Sequence, residues 1–215
     1  MGAVRLVAVS KTFPPGAIQA AAAAGQRAFG ENYLQEALGK IEALRGASLE
    51  WHFIGPVQSN KTRDLASHFD WVHGIERLKI AERLSAQRPD DLPPLDLCVQ
   101  VNVSGEASKS GCAPREAPAL CATIAALPRL RLRGLMAIPE AAQRAEDARP
   151  AFRALRELHE RIRAAGMVDP ERFDTLSMGM SGDFRVAIEE GATLVRVGSA
   201  IFGKRRDSGL GTRDS

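Results

Sequence analysis

Lys11 is the residue whose type and position point most directly to chemistry. It follows residues 6–10, a run of apolar and small side chains that contains Val7 and Val9 and predicts a buried strand. The chain has only 6 lysines among its 29 basic residues, so arginine is its usual cation. Unlike arginine, lysine can lose its proton and form a Schiff base with a carbonyl group. The ordinary alternative is a lysine that begins a solvated loop.

Two turns near the end of the chain have the composition of phosphate-binding loops. One contains Ser181 and Gly182, and the other contains Gly198 and Ser199. Small residues let a phosphate approach free backbone amides, and an amide-rich turn that opens a helix favours an anion. Each turn taken singly is a weak signal, for which an ordinary turn or cap is the more common explanation. Their occurrence together, with a lysine that closes the first strand, favours a ligand that carries a phosphate.

Further polar side chains follow predicted strands, and each has two interpretations. Arg196 lies in a run of valines, where it is either a core cation with buried partners or a residue that faces the ligand. Asn32 either faces the ligand or caps the next helix, with Gln35 at the reciprocal capping-box position. The loop 104–111 is interpreted as a surface loop. No role follows for the polar residues around the end of the third strand, His52, Gln58, Asn60 and Lys61.

The composition is that of an ordinary globular protein. The chain has 215 residues, of which 45% are hydrophobic and 26% charged, with a net charge of +3, which suits one domain with a large core. No basic stripe interleaves with aromatic residues, so we expect no nucleic-acid partner. No apolar run approaches the ~20 residues of a membrane span and no leader opens the chain, so we expect a cytoplasmic protein. The 3 cysteines and 4 histidines show no metal-ligand spacing, so we predict no metal, with Cys98 and Cys121 reduced in the core.

Strand-like and helix-like segments alternate along the chain. The predicted strands are 6–9, 27–30, 49–54, 71–73, 95–103, 130–138, 175–178 and 194–197. Helical patterns lie between them, among them 16–24, 59–68, 114–127, 145–165 and a short helix that begins at Ser181 or Asp183. This alternation predicts an α/β protein with a (β/α)8 barrel, in which functional residues gather where strands end and phosphate sites follow strands seven and eight. An open doubly wound sheet would usually have a glycine-rich turn after its first strand, and that turn is absent.

The ends of the chain lead to two further expectations. No full helix precedes Val4 or follows the eighth strand, so the outer faces of strands one and eight should be partly uncovered. A helix encoded upstream of Met1 would cover them. We expect residues 1–203 to form a single barrel domain and the polar, basic tail 204–215 to be frayed.

A series of motifs, in order along the chain, resembles the pyridoxal-phosphate homeostasis protein family. The motifs span Val4 to Gly203 and together are specific: AVSK (8–11), FGENY (29–33), WHFIGP (51–56), QSNK (58–61), SKSG (108–111), GLM (134–136), LSMGMS (176–181) and VRVGSAIFG (195–203). Members of that family carry roughly one more helix before the first strand. The resemblance implies an alanine-racemase-like barrel that holds pyridoxal 5′-phosphate (PLP) as an internal aldimine on Lys11.

The resemblance also implies roles for individual residues. The phosphate is expected at Ser181, Gly198 and Ser199, with Gly182 beside them. Arg196 is expected near the pyridine nitrogen, and Asn32 and Ser177 beside the ring. Members of the family handle PLP supply without established turnover.

Three functions are therefore weighed. The favoured one is a PLP carrier or buffer, expected to be a monomer and to have apo PLP-dependent enzymes as further partners. The second is a PLP enzyme such as an amino-acid racemase, which needs a second proton carrier opposite the lysine. The chain has a single tyrosine, Tyr33, near strand two. The third is a phosphosugar-type barrel enzyme in which Lys11 forms a Schiff base with the substrate.

Overall fold

Parallel strands in chain order form a closed barrel in the computed structural model, which describes residues 3–105, 110–139 and 144–203. The pairing of Arg5 with Leu194 and of Val7 with Arg196 joins the last strand to the first. Within the described residues the 8 strands are β1 (Arg5–Val9), β2 (Ala28–Glu31), β3 (Glu50–Phe53), β4 (Trp71–Ile75), β5 (Leu95–Gln100), β6 (Leu130–Met136), β7 (Thr175–Ser177) and β8 (Leu194–Val197).

Helices follow the strands, and all but the short last one bury side chains against the barrel. They are α1 (Pro15–Ala23), α2 (Leu34–Ala43), α3 (Thr62–His68), α4 (Leu78–Gln87), α5 (Ala117–Ala125), α6 (Arg149–Ala164), α7 (Phe184–Glu189) and α8 (Ser199–Phe202). Short 3-10 turns, Ser59–Lys61 and Ala145–Ala148, precede α3 and α6. The longest helix, α6, buries Phe152, Leu155, Leu158 and Ile162, which lie three or four residues apart on one face.

Apolar side chains are divided between two regions. The large cluster lies between the barrel and the helices and includes Phe29, Val72, Leu97 and Phe152. The barrel interior holds two small clusters instead, one of Val7, Ala28 and Leu194 and the other of Trp71, Cys98 and Met136. The remaining interior positions include buried polar residues: His52, His73, Ser177 and Arg196. The interior of this barrel is therefore unusually polar for a fold whose centre is commonly filled by aliphatic residues.

The predicted barrel is confirmed, with corrections to its details. Strand five ends at Gln100 and not at Val103, because Val101 pairs only with Cys112 in an isolated bridge. The capping box of Asn32 and Gln35 is wrong: Tyr33 precedes the first residue of α2, and no side chain caps that helix. The long helix predicted from Ala145 begins with a 3-10 turn, and α6 itself starts at Arg149.

The exposure predicted for strands one and eight is correct for β1 only. Leu6, on the outer face of β1, is 40% exposed. Val195 and Val197, on the outer face of β8, are buried in the large apolar cluster. The helix α7 packs against β8 and supplies this cover.

The cysteines lie in the interior as predicted. Cys98 and Cys121 are both fully buried, and burial raises the pKa of Cys121 to about 12, so this thiol stays protonated at neutral pH. In the described ranges no helix is long and apolar enough to cross a membrane, and no group of three or more His, Cys, Asp or Glu side chains could hold a metal ion. The predicted tail 204–215 and Lys109 lie outside the described residues.

Candidate functional site

A cavity of about 430 Å³ opens at the carboxyl ends of the strands. Its volume is within the range of about 300–1,000 Å³ that small-ligand sites occupy. The turns after β1, β2, β3, β6, β7 and β8 line it, which is the position expected for the site of a barrel. Of the residues predicted for the site, the cavity brings together Lys11, Asn32, Ser181, Gly182, Arg196, Gly198 and Ser199.

Lys11 lies in a tight turn directly beyond β1. The amide of Phe13 donates a hydrogen bond of 3.0 Å to the carbonyl of Ser10, and Thr12 has a positive φ of 68°. The Lys11 side chain is half-buried, and its Nζ makes no hydrogen bond or ion pair with any residue that the structure describes. A cavity-lining amine without a partner is available to a carbonyl ligand.

A buried ionic cluster behind this turn holds it in place. Lys40 Nζ on α2 donates to the Ser10 carbonyl at 2.8 Å and to Glu31 Oε1 at 2.8 Å, and Ser10 Oγ donates to the same Glu31 oxygen at 2.6 Å. Glu36 Oε1 accepts from the Thr12 amide at 2.5 Å and also pairs with Lys40. Burial raises the pKa of Glu31, although the hydrogen bonds from Lys40 and Ser10 oppose the shift. The sequence analysis missed this cluster because its members come from separate elements.

Asn32 faces the cavity from the end of β2. Its Oδ1 is buried and has no hydrogen-bond partner among the described residues. An unpaired buried amide costs free energy comparable to a lost hydrogen bond, so a polar ligand atom is the natural partner for it.

The turns after β7 and β8 meet through one hydroxyl. Ser181 Oγ accepts from the Gly198 amide at 3.2 Å and from the Ala200 amide at 3.4 Å. The amides of Gly182 and Ser199 donate to no acceptor in the described part of the chain. Free amides next to a hydroxyl at the rim of a cavity suit a phosphate group.

Gly198 has a structural role besides its place in the cavity. A Cβ at this position would lie 3.1 Å from the carbonyl oxygen of Val9 and 3.3 Å from its Cβ, so β8 approaches β1 closely here. A Cβ at Gly182, in contrast, would meet nothing within 4 Å. The two glycines predicted for the phosphate site therefore differ in what a side chain would disturb.

Arg196 is a buried cation at the floor of the cavity. Its Nη1 donates to Ser177 Oγ at 2.7 Å and its Nη2 donates to the Ala137 carbonyl at 3.0 Å, and no carboxylate in the described ranges contacts it. Burial lowers the pKa of Arg196 to about 10, which leaves the guanidinium protonated at neutral pH. Arg196 thus has buried neutral partners, as a core cation would, and it also lines the cavity.

Ser177 does not line the cavity, although it was expected beside the ligand ring. It is fully buried beneath Arg196, and its Oγ also contacts His73 Nδ1 at 2.8 Å. His52 points into the barrel as well, and Gln58, Asn60 and Lys61 do not line the cavity. The sequence analysis missed the apolar wall of the cavity, formed by Val9, Phe13, Ile54, Pro56, Ile138 and Met180.

The described lining of the cavity contains Lys11 and Arg196 but no Asp, Glu, His, Cys or Tyr. This set can bind an anionic carbonyl compound through an amine, a guanidinium and backbone amides. Among the side chains of the described lining, Lys11 alone is of a type that commonly acts as a general acid or base.

Comparison with known proteins agrees with this geometry. The sequence model described as "Alanine racemase, N-terminal domain" matches residues 1–206. A protein of Pseudomonas aeruginosa PAO1 named "Pyridoxal phosphate homeostasis protein" is 60% identical over 202 residues, which are 94% of this chain and 85% of that protein. The chain belongs to the pyridoxal phosphate homeostasis protein family. A protein of Escherichia coli K12 with the same name is 53% identical over 206 residues, 94% of this chain and 86% of that one.

Solved structures show the same fold. PipY of Synechococcus elongatus PCC7942 without PLP is 39% identical, with a TM-score of 0.86, and 93% of each chain is covered. The structure of PipY with PLP bound is 38% identical with a TM-score of 0.84 and covers 93% of this chain and 92% of that one. Alanine racemase from Corynebacterium glutamicum shares the fold alone, at 19% identity and a TM-score of 0.68 over 98% of this chain and 58% of that one. As a member of the pyridoxal phosphate homeostasis protein family, this chain is more similar in sequence and structure to PipY than to this racemase.

Proposed function

We propose that this protein binds PLP through a Schiff base to Lys11 and takes part in cellular PLP homeostasis as a carrier or buffer. A single observation carries this proposal. One cavity combines Lys11, Arg196 and the amides after β7 and β8, and among the described residues Lys11 has no partner, Arg196 contacts no carboxylate and the amides of Gly182 and Ser199 meet no acceptor. Membership of the family, and PLP in the related PipY structure, support the same ligand.

The residues of the cavity match the parts of PLP. The amine of Lys11 suits the aldehyde, and the amides of Gly182 and Ser199 with the Ser181 hydroxyl suit the phosphate. The unpaired amide of Asn32 suits a polar substituent of the ring. Arg196 would lie beside the pyridine nitrogen, and the apolar side chains of the cavity wall would pack against the faces of the ring.

Arg196 favours binding over catalysis. Bound PLP supplies an electron sink, and that sink is strongest when the ring nitrogen carries a proton. A guanidinium beside the nitrogen disfavours that proton because two cations repel each other, and Arg196 stays charged at neutral pH.

The proposal includes no turnover of amino acids. The alternative, an amino-acid racemase, needs a second proton carrier opposite the lysine. Tyr33 is the one tyrosine of the sequence, and it is 55% exposed and does not line the cavity. The described lining holds no histidine or carboxylate that could take its place.

We also propose the cellular setting of this activity. The protein would act in the cytoplasm as a monomer, with apo PLP-dependent enzymes as recipients of the cofactor. The described lining of the cavity holds no second catalytic base, which fits a protein that holds PLP for others.

The test is direct labelling of the lysine. Purified protein is mixed with PLP, the visible absorbance is recorded, and the adduct is fixed with borohydride and located by peptide mass analysis. We expect a visible band and a pyridoxyl group on Lys11, both lost in Lys11→Ala and kept in Lys61→Ala, whose lysine does not line the cavity. The adduct on Lys61 or Lys109 with Lys11 unmodified, or no visible band, would contradict the proposal; the latter would favour the phosphosugar enzyme.

A further inference from the structure

A continuous line of hydrogen bonds crosses the barrel interior beneath the cavity. Arg196 Nη1 contacts Ser177 Oγ at 2.7 Å, Ser177 Oγ contacts His73 Nδ1 at 2.8 Å, and His73 Nε2 contacts His52 Nδ1 at 2.9 Å. His52 Nε2 then contacts Glu50 Oε1 at 2.6 Å. We name Glu50, His52, His73 and Ser177 the interior relay.

The interior relay joins the two ends of the barrel. Glu50 is the first residue of β3, at the end opposite the cavity, where its side chain is 34% exposed and pairs with Arg5. His52, His73 and Ser177 are each fully buried, on β3, β4 and β7. Arg196, on β8, connects the interior relay to the cavity.

Glu50 fixes the direction of every hydrogen bond in the relay. An ionised carboxylate only accepts, so His52 Nε2 must carry the hydrogen and His52 Nδ1 must accept when the ring is neutral. His73 Nε2 is then the donor to His52, which leaves His73 Nδ1 to accept from the Ser177 hydroxyl. The lone pairs of Ser177 therefore face Arg196, whose N–H donates to them.

The ionisation states agree with this direction. Burial lowers the pKa of His52 and lowers the pKa of His73 well below its ordinary value, so both rings are neutral at pH 7. Burial alone would raise the pKa of Glu50, but the hydrogen bond from His52 and the charge of Arg5 bring it below its ordinary value.

The opposite direction leaves a buried group without a partner. If His73 Nδ1 carried the hydrogen, Ser177 Oγ would accept from both His73 and Arg196. The Ser177 hydroxyl hydrogen would then have no acceptor among the described residues, which is costly in a fully buried position.

We propose that Glu50, His52 and His73 are positioning residues that hold Arg196 at the ring nitrogen of bound PLP, by keeping Ser177 as its hydrogen-bond acceptor. This inference rests on the proposed function for its ligand. The arrangement of hydrogens in the relay is a property of the protein without ligand, so it can be tested separately.

The first test uses the protein without PLP. Nitrogen-15 correlation spectra of histidine-labelled protein at neutral pH distinguish the two neutral tautomers and the charged form of each ring. We expect His52 and His73 to be neutral with the hydrogen on Nε2. A hydrogen on Nδ1 of His73, or a charged His73, would overturn the proposal whether or not PLP binds.

The second test follows bound PLP in the variant His73→Phe. Loss of the imidazole nitrogens leaves the Ser177 hydroxyl without its acceptor, so Ser177 holds the Arg196 guanidinium less firmly. We expect PLP affinity to fall about three- to tenfold, the scale of a disrupted buried hydrogen bond. We also expect the pH profile of the visible band to shift to lower pH, because a less constrained Arg196 allows protonation of the ring nitrogen and this withdraws electrons from the imine.

A matched control and a double variant separate positioning from general damage. His159 is also buried, but it stacks on Phe173 outside the barrel interior, so His159→Phe should leave the pH profile unchanged. Ser177→Ala should reproduce the shift of His73→Phe, and the double variant should shift no further than either single one, because both remove the same interaction. Additive shifts would overturn the proposal.

A variant at the end of the interior relay opposite the cavity tests the proposal even if variants in the buried interior fail to fold. Glu50→Leu removes the acceptor that sets the direction and lies at a partly exposed strand start. Arg5→Leu removes the ion-pair partner of Glu50 and the guanidinium over the Trp71 ring, but it leaves the Glu50 carboxylate in place. We expect the pH profile of the visible band to shift in Glu50→Leu and to remain that of the parent in Arg5→Leu. A parent-like profile in folded Glu50→Leu and His73→Phe would overturn the proposal, whereas no visible band in the parent would count against the proposed function itself.

Discussion

Lys40 Nζ donates a hydrogen bond of 2.8 Å to the backbone carbonyl of Ser10, so a lysine of α2 holds the residue that precedes Lys11. The same ammonium pairs with Glu31, and both side chains are almost completely buried. The turn that presents Lys11 is thus fixed from behind by a second lysine with a structural task.

Lys40→Met should destabilise the protein. It leaves the Glu31 carboxyl buried without its cation, and removal of one partner of a buried pair lowers the free energy of unfolding by about 3 kcal/mol. Urea denaturation of the parent and the variant measures this difference. The control Lys61→Met removes a lysine outside this cluster and should change the free energy of unfolding little; a parent-like midpoint for Lys40→Met would contradict the prediction.

Substitution at the two phosphate-site glycines should separate binding from folding. Gly182→Val should weaken PLP binding in a folded protein, because its side chain meets only the cavity. Gly198→Val should weaken binding more than Ser199→Ala, but it should also lower stability, since its Cβ would crowd Val9. Ser199→Ala loses one hydroxyl, worth about 1 kcal/mol.

Titration of PLP by absorbance measures these affinities, and circular dichroism checks the fold. Parent-like affinity in folded Gly182→Val and Gly198→Val would place the phosphate elsewhere.

Stability should fall in mild acid because of buried histidines. Burial lowers the pKa of His159 to about 4 from its ordinary 6.5. Between these values the unfolded chain binds a proton that the folded chain does not. The free energy of unfolding therefore decreases by about 1.4 kcal/mol for each such group when the pH is lowered by one unit. The stability that the neutral, buried His159 ring allows is fully present above pH 6.5 and is lost as the pH falls towards 4.

His159→Phe should therefore reduce the slope of the free energy of unfolding against pH in this range by the amount that corresponds to one bound proton. Denaturant unfolding over that pH range measures the slope, and His68→Gln, on an exposed residue at the end of α3, is the control. An unchanged slope in His159→Phe would show that this histidine takes up its proton equally in both states.

No exchange of the α-hydrogen of alanine at an enzymic rate is expected in the presence of protein and PLP. The reason is that the described cavity offers no second proton carrier beside Lys11. Deuterium incorporation followed by NMR is the measurement. Rapid exchange that disappears in Lys11→Ala would show that the protein is an enzyme after all.

The barrel could be predicted from the sequence because its signals are local. The run from Val7 to Val9 is apolar on both faces, which is typical of parallel strands covered by helices. The order of such strands in a barrel follows the chain, so the ends of strands one, seven and eight could be placed together without coordinates. Lys11, Ser181 and Gly198 were found in this way, and they share the cavity.

The details of strand ends and caps required the tertiary structure. Asn32 has the right neighbours for a helix cap, yet its side chain faces the cavity, because the chain enters α2 only after Tyr33. Local propensity does not distinguish these two uses of an asparagine.

By itself, the sequence determined the barrel and the small residues and lysine at its functional end, since each depends on residue type and short-range order. Only the tertiary structure decided what lies behind them. Lys40 behind Lys11, and Ser177, His73 and His52 behind Arg196, come from different elements and meet only when the barrel closes. A hydrogen bond depends on distances of about 3 Å and on direction, and sequence spacing specifies neither between separate strands.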